Sequence, residues 1–478
     1  MLSMSISDLV AATGAELLVE GSGDVRGEVV IDSRKVTQGS VFVAFAGERV
    51  DGNAYATSAV RAGAGAVVIS AEPQDGLLDE ARACGCAVVR AEGDDCEEFL
   101  LRLTGEWVSR HPDWVVMGVT GSVGKTTTKT MLRSAVSSER RCHATAGNFN
   151  NLIGMPLTAL NAPDDLEVLV LELGMNHTGE IERMARACRP AIAVITNVGT
   201  SHIGLLGSRE NIARAKAEIC TGMRANAGIE PTLVMTSSGD FTRFIADGFA
   251  RPAGIDVVTV GSAEGDALFA RDVTIGADGC ASFVLVASDG WTREVTLNVP
   301  GRQVVDDALL ALEAAHVLGI NRDKAAQAIA SMPAERMRLS VLRAPGKPTV
   351  IDDSYNASPS SIAAALDVLQ SMDCAGRRVA VLGEIGELGD EAVRLHELVG
   401  AYAASKPLDM LVLVGGELAG HMAESARIMG FSDDKIYRFA TVEEAVATLA
   451  PVFVETDVVL AKASRSSGLD AFVRGVLG

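Results

Sequence analysis

The fold of this chain is decided by the stretch Thr120-Gly121-Ser122-Val123-Gly124-Lys125-Thr126-Thr127. The apolar run from Trp114 to Val119 precedes it and predicts a buried strand, and residues 128 to 136 predict a helix. A glycine-rich turn between a strand and a helix binds phosphate, because backbone N–H groups point inward and the helix dipole favours negative charge. The sequence therefore predicts a phosphate-binding loop at this position.

Two side chains of the loop have predicted chemistry of their own. Lys125 reaches towards the outer phosphates of a nucleotide, and Thr126 offers a hydroxyl to a magnesium ion. The strict loop pattern has glycine at position 119, where this chain has valine, so the next glycine supplies the tight turn. An ordinary glycine-rich turn is the structural alternative, but the flanking strand and helix favour phosphate binding. The rest of the predicted cradle consists of Gly121, Ser122, Val123, Gly124 and Thr127.

The composition is that of a globular protein with several domains. A chain of 478 residues is too long for one core and suggests about three domains. Hydrophobic residues make up 48% and charged residues 22% of the chain, which leaves ample material for burial. The formal charge of -20 argues against a nucleic-acid partner, because phosphate backbones attract clustered Lys and Arg.

The cysteines and the N-terminus indicate a cytoplasmic protein. Eight cysteines are scattered along the chain, and only Cys84 and Cys86 are close, which is a poor zinc signal. Reduced, buried thiols are typical of cytosolic proteins. Residues 1 to 20 carry Asp8 inside their apolar run, so we expect no signal peptide. No apolar stretch reaches the roughly 18 residues that a membrane span needs.

The alternation of strand and helix patterns predicts an α/β fold with three domains. We expect the first domain at residues 1 to 112, the second at 113 to 333 and the third at 334 to 478. The second domain begins with the phosphate loop. It ends in an alternating β pattern at 255 to 299, where hairpin turns are predicted at 276 to 279 and at 288 to 290.

Polar residues follow the strands beside the phosphate loop. Glu172 lies close to the end of the strand predicted at 167 to 173, and His202 follows the next strand. Open α/β sheets bind ligands at the carboxyl ends of their strands, which favours a metal-binding role for both. Each also has a structural interpretation, as a strand-end acid or a buried histidine. Lys216, in the helical pattern at 209 to 224, is by default a solvated helix lysine.

Three further polar stretches allow either turn chemistry or ligand binding. The first, at 32 to 35, contains Ser33 and Arg34. The second, at 147 to 156, is a cluster of asparagines whose amides can donate to and accept from a ligand. The third, at 352 to 358, follows a short strand and is also typical of a helix N-terminus.

Taken together, these motifs resemble the Mur ligase family of ATP-dependent amino-acid and peptide ligases of cell-wall synthesis. The resemblance extends over nearly the whole chain. It is carried by Asp32-Ser33-Arg34-Lys35, Gly47-Glu48-Arg49 with Asp51-Gly52, the phosphate loop, Gly147-Asn148-Phe149-Asn150-Asn151, Leu171-Glu172-Leu173-Gly174, Thr196-Asn197-Val198-Gly199 with His202, and Asp352-Asp353-Ser354-Tyr355-Asn356-Ala357.

The resemblance implies a fold and a reaction. The N-terminal domain would bind a UDP-sugar, the central domain would bind ATP on a mostly parallel sheet with a β-rich subregion, and the third domain would be Rossmann-like. The asparagine cluster and the segment at 352 to 357 point to the members that join D-alanyl-D-alanine to UDP-N-acetylmuramoyl-tripeptide through an acyl phosphate. A related ligase that adds a single amino acid is the alternative. A monomer is expected.

The resemblance also assigns roles to residues of this chain. Two magnesium ions are implied, and Lys216 would carry a carbamate formed from carbon dioxide, which would turn an ammonium into a carboxylate-like ligand. The nucleotide would also contact Asn356. The implied catalytic residues are Lys125, Lys216, His202, Arg336 and Asp353. The implied metal ligands are Thr126, Glu172, His202 and Lys216. The implied substrate-binding residues are Ser33, Arg34, Asn150 and Asn151.

The chain departs from the family pattern at several positions. Gln303, Val304 and Asp307 stand where the family usually has His-Asn and a later Asn, which leaves the recognition of adenine open. Glu335 replaces the glycine that usually precedes the arginine assigned here as Arg336. A phosphate-loop nucleotide switch fits poorly, because no Asn-Lys-x-Asp motif is present and the third domain would have no role. A non-catalytic relative that only binds nucleotide is disfavoured because the lysines and metal-side residues are retained.

Overall fold

The computed structural model describes residues 1–47 and 50–478. Glu48 and Arg49, which belong to one of the motifs above, lie outside the described residues. The described chain forms sheets of two, five, nine and six strands. Helices connect the strands of the three larger sheets, so the predicted α/β class is confirmed. Among the described residues, no helix combines the length and the apolar character that crossing a membrane requires.

The first part of the chain builds a five-stranded sheet in the order β2-β7-β6-β5-β4 and a two-stranded ribbon of β1 and β3. Buried valines and alanines line the sheet, and Ser5 caps the first helix by accepting from the backbone N–H of Asp8. The strands are β1 (Leu2–Met4), β2 (Glu16–Val19), β3 (Val25–Gly27), β4 (Val29–Val30), β5 (Val41–Val43), β6 (Ala66–Ile69) and β7 (Ala87–Arg90). The helices are α1 (Ile6–Thr13), α2 (Ala56–Arg61), α3 (Leu77–Cys84) and α4 (Cys96–Ser109).

The middle part builds the nine-stranded sheet, in the order β16-β15-β14-β13-β12-β11-β8-β10-β9. Its strands are β8 (Val115–Thr120), β9 (Cys142–Ala144), β10 (Val168–Glu172), β11 (Ile192–Ile195), β12 (Thr232–Thr236), β13 (Asp256–Gly261), β14 (Leu268–Ile275), β15 (Cys280–Ala287) and β16 (Thr292–Pro300). Its helices are α5 (Lys125–Ser137), α6 (Gly154–Leu160), α7 (Glu180–Cys188), α8 (Ile203–Leu206), α9 (Arg209–Ala217), α10 (Ile219–Gly222), α11 (Thr242–Ile245), α12 (Val304–Val317) and α13 (Arg322–Ala330).

Strand direction divides the nine-stranded sheet into two regions. From β9 to β14 neighbouring strands are parallel, whereas β14, β15 and β16 pair antiparallel through the two predicted hairpins. The parallel strands are buried on both faces and therefore read as continuous apolar runs. In β8, for example, Val116 belongs to the core of one face, while Met117 and Val119 belong to the core of the other.

The last part builds a six-stranded sheet in the order β17-β18-β22-β19-β20-β21, in which only the edge strand β17 is antiparallel. Ser358 and Ser361 form a capping box that starts α14, with Pro359 in its first turn. The strands are β17 (Ser340–Leu342), β18 (Thr349–Asp353), β19 (Arg378–Gly383), β20 (Met410–Val414), β21 (Ile436–Phe439) and β22 (Val458–Lys462). The helices are α14 (Pro359–Ser371), α15 (Ala392–Ala404), α16 (Glu417–Ile428), α17 (Val442–Leu449) and α18 (Asp470–Leu477).

The strand order places the predicted site residues at one sheet edge. Strand β8 lies between β10 and β11, and all three run parallel. Their carboxyl ends therefore meet, which brings the phosphate loop after β8 next to Glu172, the last residue of β10. The segment leading to His202 follows β11 on the other side of the loop.

Candidate active site

The phosphate loop is shaped by close packing at two glycines. Gly121 has φ 146° and Gly124 has φ 83°, both in the region that favours glycine. A Cβ atom on Gly121 would lie 1.9 Å from Thr196 Oγ1, and one on Gly124 would lie 2.4 Å from Asp307 Oδ1. Any side chain at these positions would collide with the walls of the cradle. The valine at 119 needs no such freedom, because it is the buried partner of Glu172 in the β8–β10 ladder.

The strand end after β11 holds the loop from the side. The backbone N–H of Val123 donates to Asn197 Oδ1 at 3.0 Å, and Asn197 Nδ2 donates back to the Val123 carbonyl at 2.9 Å. The Ser122 N–H donates to the Asn197 carbonyl at 3.0 Å. Asn197 therefore fixes the turn of the loop, a role that the sequence alone did not assign to it.

Lys125 lies folded over its own loop. Its Nζ donates to the carbonyls of Gly121 at 2.8 Å and Ser122 at 3.2 Å. Burial lowers the pKa of Lys125, because the ammonium has lost its water. A half-buried cation that lines the cavity and is held by backbone carbonyls is well placed to turn towards an anionic ligand.

Glu172 is the centre of a polar cluster beneath the loop. Its Oε1 accepts from Asn150 Nδ2 at 2.8 Å and from Thr126 Oγ1 at 3.3 Å, while the side chain is 1% exposed. Its Oε2 has no hydrogen-bond partner in the described part of the chain, and Lys129 Nζ lies 3.7 Å away. A hydroxyl, an amide and a carboxylate with a free oxygen suit a magnesium ion, which binds a few protein oxygens and keeps several waters.

Lys216 is a buried lysine whose amine lacks a hydrogen-bond partner in the described part of the chain. Its side chain lies in α9 and is 1% exposed, and Nζ finds no hydrogen-bond partner among the described residues. Burial, together with the charge of Lys125, holds the pKa of Lys216 well below its usual value, while Glu218 and Glu180 act weakly in the opposite direction. The default interpretation of a solvated lysine is therefore wrong. A neutral amine in this setting is reactive towards carbon dioxide, so the residue fits the predicted carbamate.

His202 lies where the middle and last parts of the chain touch. Its Nδ1 is 2.6 Å from Glu387 Oε2, although the alignment is not that of a regular hydrogen bond. Two residues later, the Gly204 N–H donates to the Glu387 carbonyl at 3.1 Å. A Cβ on Gly204 would lie 2.3 Å from the Gly389 nitrogen, so the two backbones approach as closely as only glycine allows.

The six-stranded sheet contributes a second set of charged residues. Asp353, at the end of β18, pairs with Lys462 at the end of the neighbouring β22, and Lys462 also donates to the Asn356 carbonyl at 3.0 Å. Lys462 was not among the predicted site residues. It is 2% exposed, and a lysine at the end of a buried strand was the signal that could have identified it.

The structure separates the two arginines of this region. Arg336 is exposed and does not reach the cavity, whereas Arg338 lines it with its guanidinium 4.3 Å from the centre of the Tyr355 ring. Arg338 therefore lies where a charge could face a ligand in this cavity, and the role predicted for Arg336 stays a prediction. The sequence Arg336-Met337-Arg338 offers two arginines for the cavity, and the backbone conformation between them decides which of the two faces it.

These groups line one cavity of about 480 Å³ between the nine-stranded and six-stranded sheets. The predicted residues that line it are Ser122, Val123, Gly124, Lys125, Thr126, Thr127, Asn150, Glu172, His202, Asp353 and Asn356. The lining residues that were not predicted include Asn148, Asn176, Arg338, Tyr355, Glu387, Lys462 and Arg465. Lys216 is not one of the lining residues, and Gly121 contributes its carbonyl to Lys125.

Three predicted substrate-binding residues lie away from this cavity. Ser33 and Arg34 form a short 3-10 turn in the first part of the chain, where Asp32 accepts from Arg34 Nε at 2.9 Å and Nη2 at 2.8 Å. These hydrogen bonds lower the pKa of Asp32 to about 2. Asn151 does not reach the cavity either, because its side chain accepts from the Gly154 N–H at 2.8 Å and starts α6. Their roles stay predictions.

Asp307 is the departure from the family pattern that bears most directly on the cradle. It is 8% exposed and accepts from Thr128 Oγ1 at 2.9 Å. Burial raises the pKa of Asp307 well above its usual value, and the Thr128 hydroxyl only partly offsets this. The folded protein thus binds a proton here more tightly than the unfolded chain. The stability that this proton contributes is greatest at low pH and declines as the pH rises above about 4, the ordinary pKa of an aspartate.

We therefore expect Asp307→Asn to stabilise the protein near neutral pH. The amide keeps the hydrogen bond from Thr128 and carries no buried charge, and a gain of about 1 kcal/mol raises the unfolding midpoint by about 2 to 4 °C. The midpoint would be measured by circular dichroism from pH 4 to 8, with Asp75→Asn at an exposed loop as the control. The advantage should shrink as the pH falls to 4, and an advantage independent of pH would contradict this account.

Comparison with known proteins places this site in context. Residues 27–93 match the model "Mur ligase family, catalytic domain", residues 119–315 match "Mur ligase middle domain", and residues 337–465 match "Mur ligase, glutamate ligase domain". The UDP-N-acetylmuramoyl-tripeptide–D-alanyl-D-alanine ligase of Bacillus subtilis is 32% identical over 94% of this chain and 93% of its own length.

Solved structures of two bacterial proteins illustrate the similarity along the chain. The crystal structure of MurF from Acinetobacter baumannii superposes with a TM-score of 0.86 at 28% identity, covering 100% of this chain and 99% of that one. MurF ligase from Thermotoga maritima, solved in complex with ADP, superposes with a TM-score of 0.78 at 27% identity, covering 94% and 97%.

Proposed function

Because this chain belongs to the Mur ligase family, we propose that it joins D-alanyl-D-alanine to UDP-N-acetylmuramoyl-tripeptide with conversion of ATP to ADP and phosphate. The substrates are those that the names of its full-length relatives give. The observation that carries the proposal is the cavity that the phosphate loop of the nine-stranded sheet lines together with Asp353 of the six-stranded sheet and Arg338 of the connection between the two sheets. A nucleotide phosphate and a second substrate can meet there, as a ligase requires.

The reaction proceeds in two steps. A carboxylate oxygen of the tripeptide attacks the γ-phosphorus of ATP, the bond to the β-phosphate oxygen breaks, and an acyl phosphate and ADP form. The amine of D-alanyl-D-alanine then attacks the acyl carbon, loses a proton, and phosphate leaves. Negative charge accumulates around the transferred phosphoryl group, and Lys125, the loop amides and Arg338 lie around the place where it is held.

The protein contributes position and charge rather than a covalent nucleophile. The loop, fixed by Asn197, orients the phosphates, and holding two reactants in register is worth several kcal/mol of the barrier. Acyl phosphates hydrolyse in water, so contact between the two sheets at His202 and Glu387 serves to exclude solvent.

Magnesium completes this arrangement in the proposal. Thr126 and Glu172 would hold one ion, and His202 and Lys216, the latter as its carbamate, would hold the second. Such ions would supply positive charge that offsets the negative charge of the phosphates. Glu172 Oε2 and Lys216 Nζ support this assignment, because each is a buried polar atom without a hydrogen-bond partner among the described residues, and Lys129 Nζ approaches Glu172 Oε2 only to 3.7 Å.

Further parts of the proposal concern the rest of the chain. The five-stranded sheet in the first part of the chain, with Ser33 and Arg34, would bind the UDP-sugar. Asn150 and Asn151 would also contact this substrate. The three domains at 1–112, 113–333 and 334–478 and the monomeric state stay predictions. A cytoplasmic location is supported by the cysteines of the described residues, which are free thiols.

The proposal is tested by measuring ADP release with purified protein, magnesium, bicarbonate, ATP and UDP-N-acetylmuramoyl-tripeptide. We expect sustained release only when D-alanyl-D-alanine is also present, and mass spectrometry should find the pentapeptide product. Two tripeptides, with diaminopimelate or lysine as third residue, would be compared. Release with a free amino acid in place of the dipeptide would favour the single-residue ligase, and no release in any complete mixture would overturn the proposal.

A further inference from the structure

A buried lysine that the mechanism does not use lies one turn beyond Lys125. Lys129 is in α5, its side chain is 3% exposed, and its Nζ lies 3.7 Å from Glu172 Oε2 and 3.9 Å from Glu335 Oε1. One ammonium thus faces two carboxylates that come from different parts of the chain. A charge is rarely buried this deeply unless it is paired, so Lys129 is held in place by both acids.

Glu335 makes a second contact with the same helix. Its Oε1 accepts a hydrogen bond from Thr130 Oγ1, the neighbour of Lys129. Glu335 lies in the connection between α13 and β17, which leads from the nine-stranded sheet to the six-stranded one. The two contacts therefore attach this connection to the helix that begins with the phosphate loop.

The connection has an unusual backbone immediately after Glu335. Met337 has φ 61° and Leu339 has φ 51°, a left-handed conformation that non-glycine residues rarely adopt. The left-handed residues on either side of Arg338 direct its side chain over the Tyr355 ring and into the cavity. On the far side, the Leu339 N–H donates to Asp353 Oδ1 at 3.2 Å. The turn is thus anchored at both ends, by Glu335 and by Asp353.

We propose that Glu335 is a positioning residue for Arg338. Glu335 attaches the connection to α5 through its contacts with Lys129 and Thr130. Lys129 also faces Glu172, the carboxylate beside the phosphate loop. The position of Arg338 therefore depends on the same helix and ion pair that hold Glu172. This inference rests on the proposed function only in that Arg338 acts on the γ-phosphate. Glu335 itself touches neither nucleotide nor substrate.

The first test is kinetic and uses the full chain. Glu335→Gln removes the charge facing Lys129, and because Glu335 is one-third exposed the variant should fold, which a thermal unfolding curve would verify. We expect kcat to fall about tenfold while the KM for ATP changes less than about threefold. Rescue by Glu335→Asp should be incomplete, because the shorter side chain cannot reach both partners. The control is Glu230→Gln at a distant exposed site, which is expected to behave as wild type.

A double-mutant cycle distinguishes positioning from a general loss of structure. If Glu335 acts through Arg338, Glu335→Gln should add little to the loss caused by Arg338→Ala. Losses that multiply in the double variant, or a Glu335→Gln variant within twofold of wild type, would overturn the proposal.

A binding arm keeps the inference testable even if the substrates of the ligase are other than proposed. The dissociation constants of ADP and of a non-hydrolysable ATP analogue would be measured by calorimetry in the absence of acceptor. Wild type should prefer the analogue because Arg338 contacts the γ-phosphate, and Arg338→Ala and Glu335→Gln should each reduce that preference about fivefold. An unchanged preference for the analogue in Glu335→Gln would overturn the positioning role of Glu335. Absence of turnover with the proposed substrates, by itself, would count only against the proposed function.

Discussion

Replacing Lys125 with methionine is expected to lower turnover by about 10² to 10³-fold, the loss typical of removing one preorganised group that stabilises transition-state charge. Lys125 is half-buried at the cavity wall, and its ammonium rests on the carbonyls of Gly121 and Ser122. It is therefore free to turn to the phosphates when a nucleotide enters. Methionine has a similar length and no charge, so the side chain can remain buried without a new unpaired group.

The measurement is ADP release under saturating ATP, with nucleotide affinity determined separately by calorimetry. Lys435→Met, at an exposed lysine in the last part of the chain, is the matched control and should behave as wild type. Unfolding midpoints should be equal or slightly higher for Lys125→Met, because a partly desolvated ammonium is removed. A variant that retains more than a tenth of wild-type turnover would show that the loop amides alone carry the phosphate chemistry.

The sequence was most informative where function depends on strand ends. Glu172 and the phosphate loop could be paired from the residue pattern alone, because both follow long apolar runs that had to be buried parallel strands. The ladder Glu172–Val119 then fixes their proximity. The same reasoning placed His202 after the next strand, at the same sheet edge, and the strand order of the structure puts it on the other side of the loop. Parallel sheets make such inferences possible, since their carboxyl ends share one edge.

Contacts between distant segments could not be predicted in this way. The choice of Arg338 over Arg336 depends on left-handed residues at 337 and 339, which no local preference indicates. The pairing of Lys462 with Asp353 depends on the order of strands in the six-stranded sheet. Lys129 and Glu335 are far apart in the sequence, and their meeting depends on how the connection between two sheets packs on α5.

Lys216 is a residue whose role could be predicted only from the family resemblance and not from the local sequence pattern. An alanine-rich helix with scattered charges predicts a solvated lysine, yet Ile212, Ala213 and Ala215 turn this part of α9 into the core. The structure supplies the physical reason for the assignment, because a buried amine without a partner is a poor structural element and a good nucleophile. Its chemistry can therefore be tested independently of the family.

We expect Lys216→Ala to lower turnover by at least about 100-fold, the upper end of the losses seen when groups supporting a metal site are removed. The amine must be neutral to react with carbon dioxide, and the lowered pKa of Lys216 keeps it neutral at pH values where an exposed lysine is charged. Wild type depleted of carbon dioxide should lose activity and regain it when bicarbonate is added, whereas Lys216→Ala should not respond.

A spectroscopic readout separates the carbamate from mere packing. Wild type incubated with carbon-13-labelled bicarbonate should show a carbamate signal by NMR, which Lys216→Ala should lack and which Arg214→Ala, at an exposed position of the same helix, should retain. Acidification should remove the signal as the amine takes up a proton.

Addition of a small carboxylate such as acetate should partly restore turnover to Lys216→Ala, because acetate can occupy the space left by the side chain and supply the missing oxygens. Near-normal activity of Lys216→Ala, or activity of wild type that is indifferent to bicarbonate with no carbamate signal, would exclude the carbamate and leave Lys216 as a buried amine with no part in the reaction.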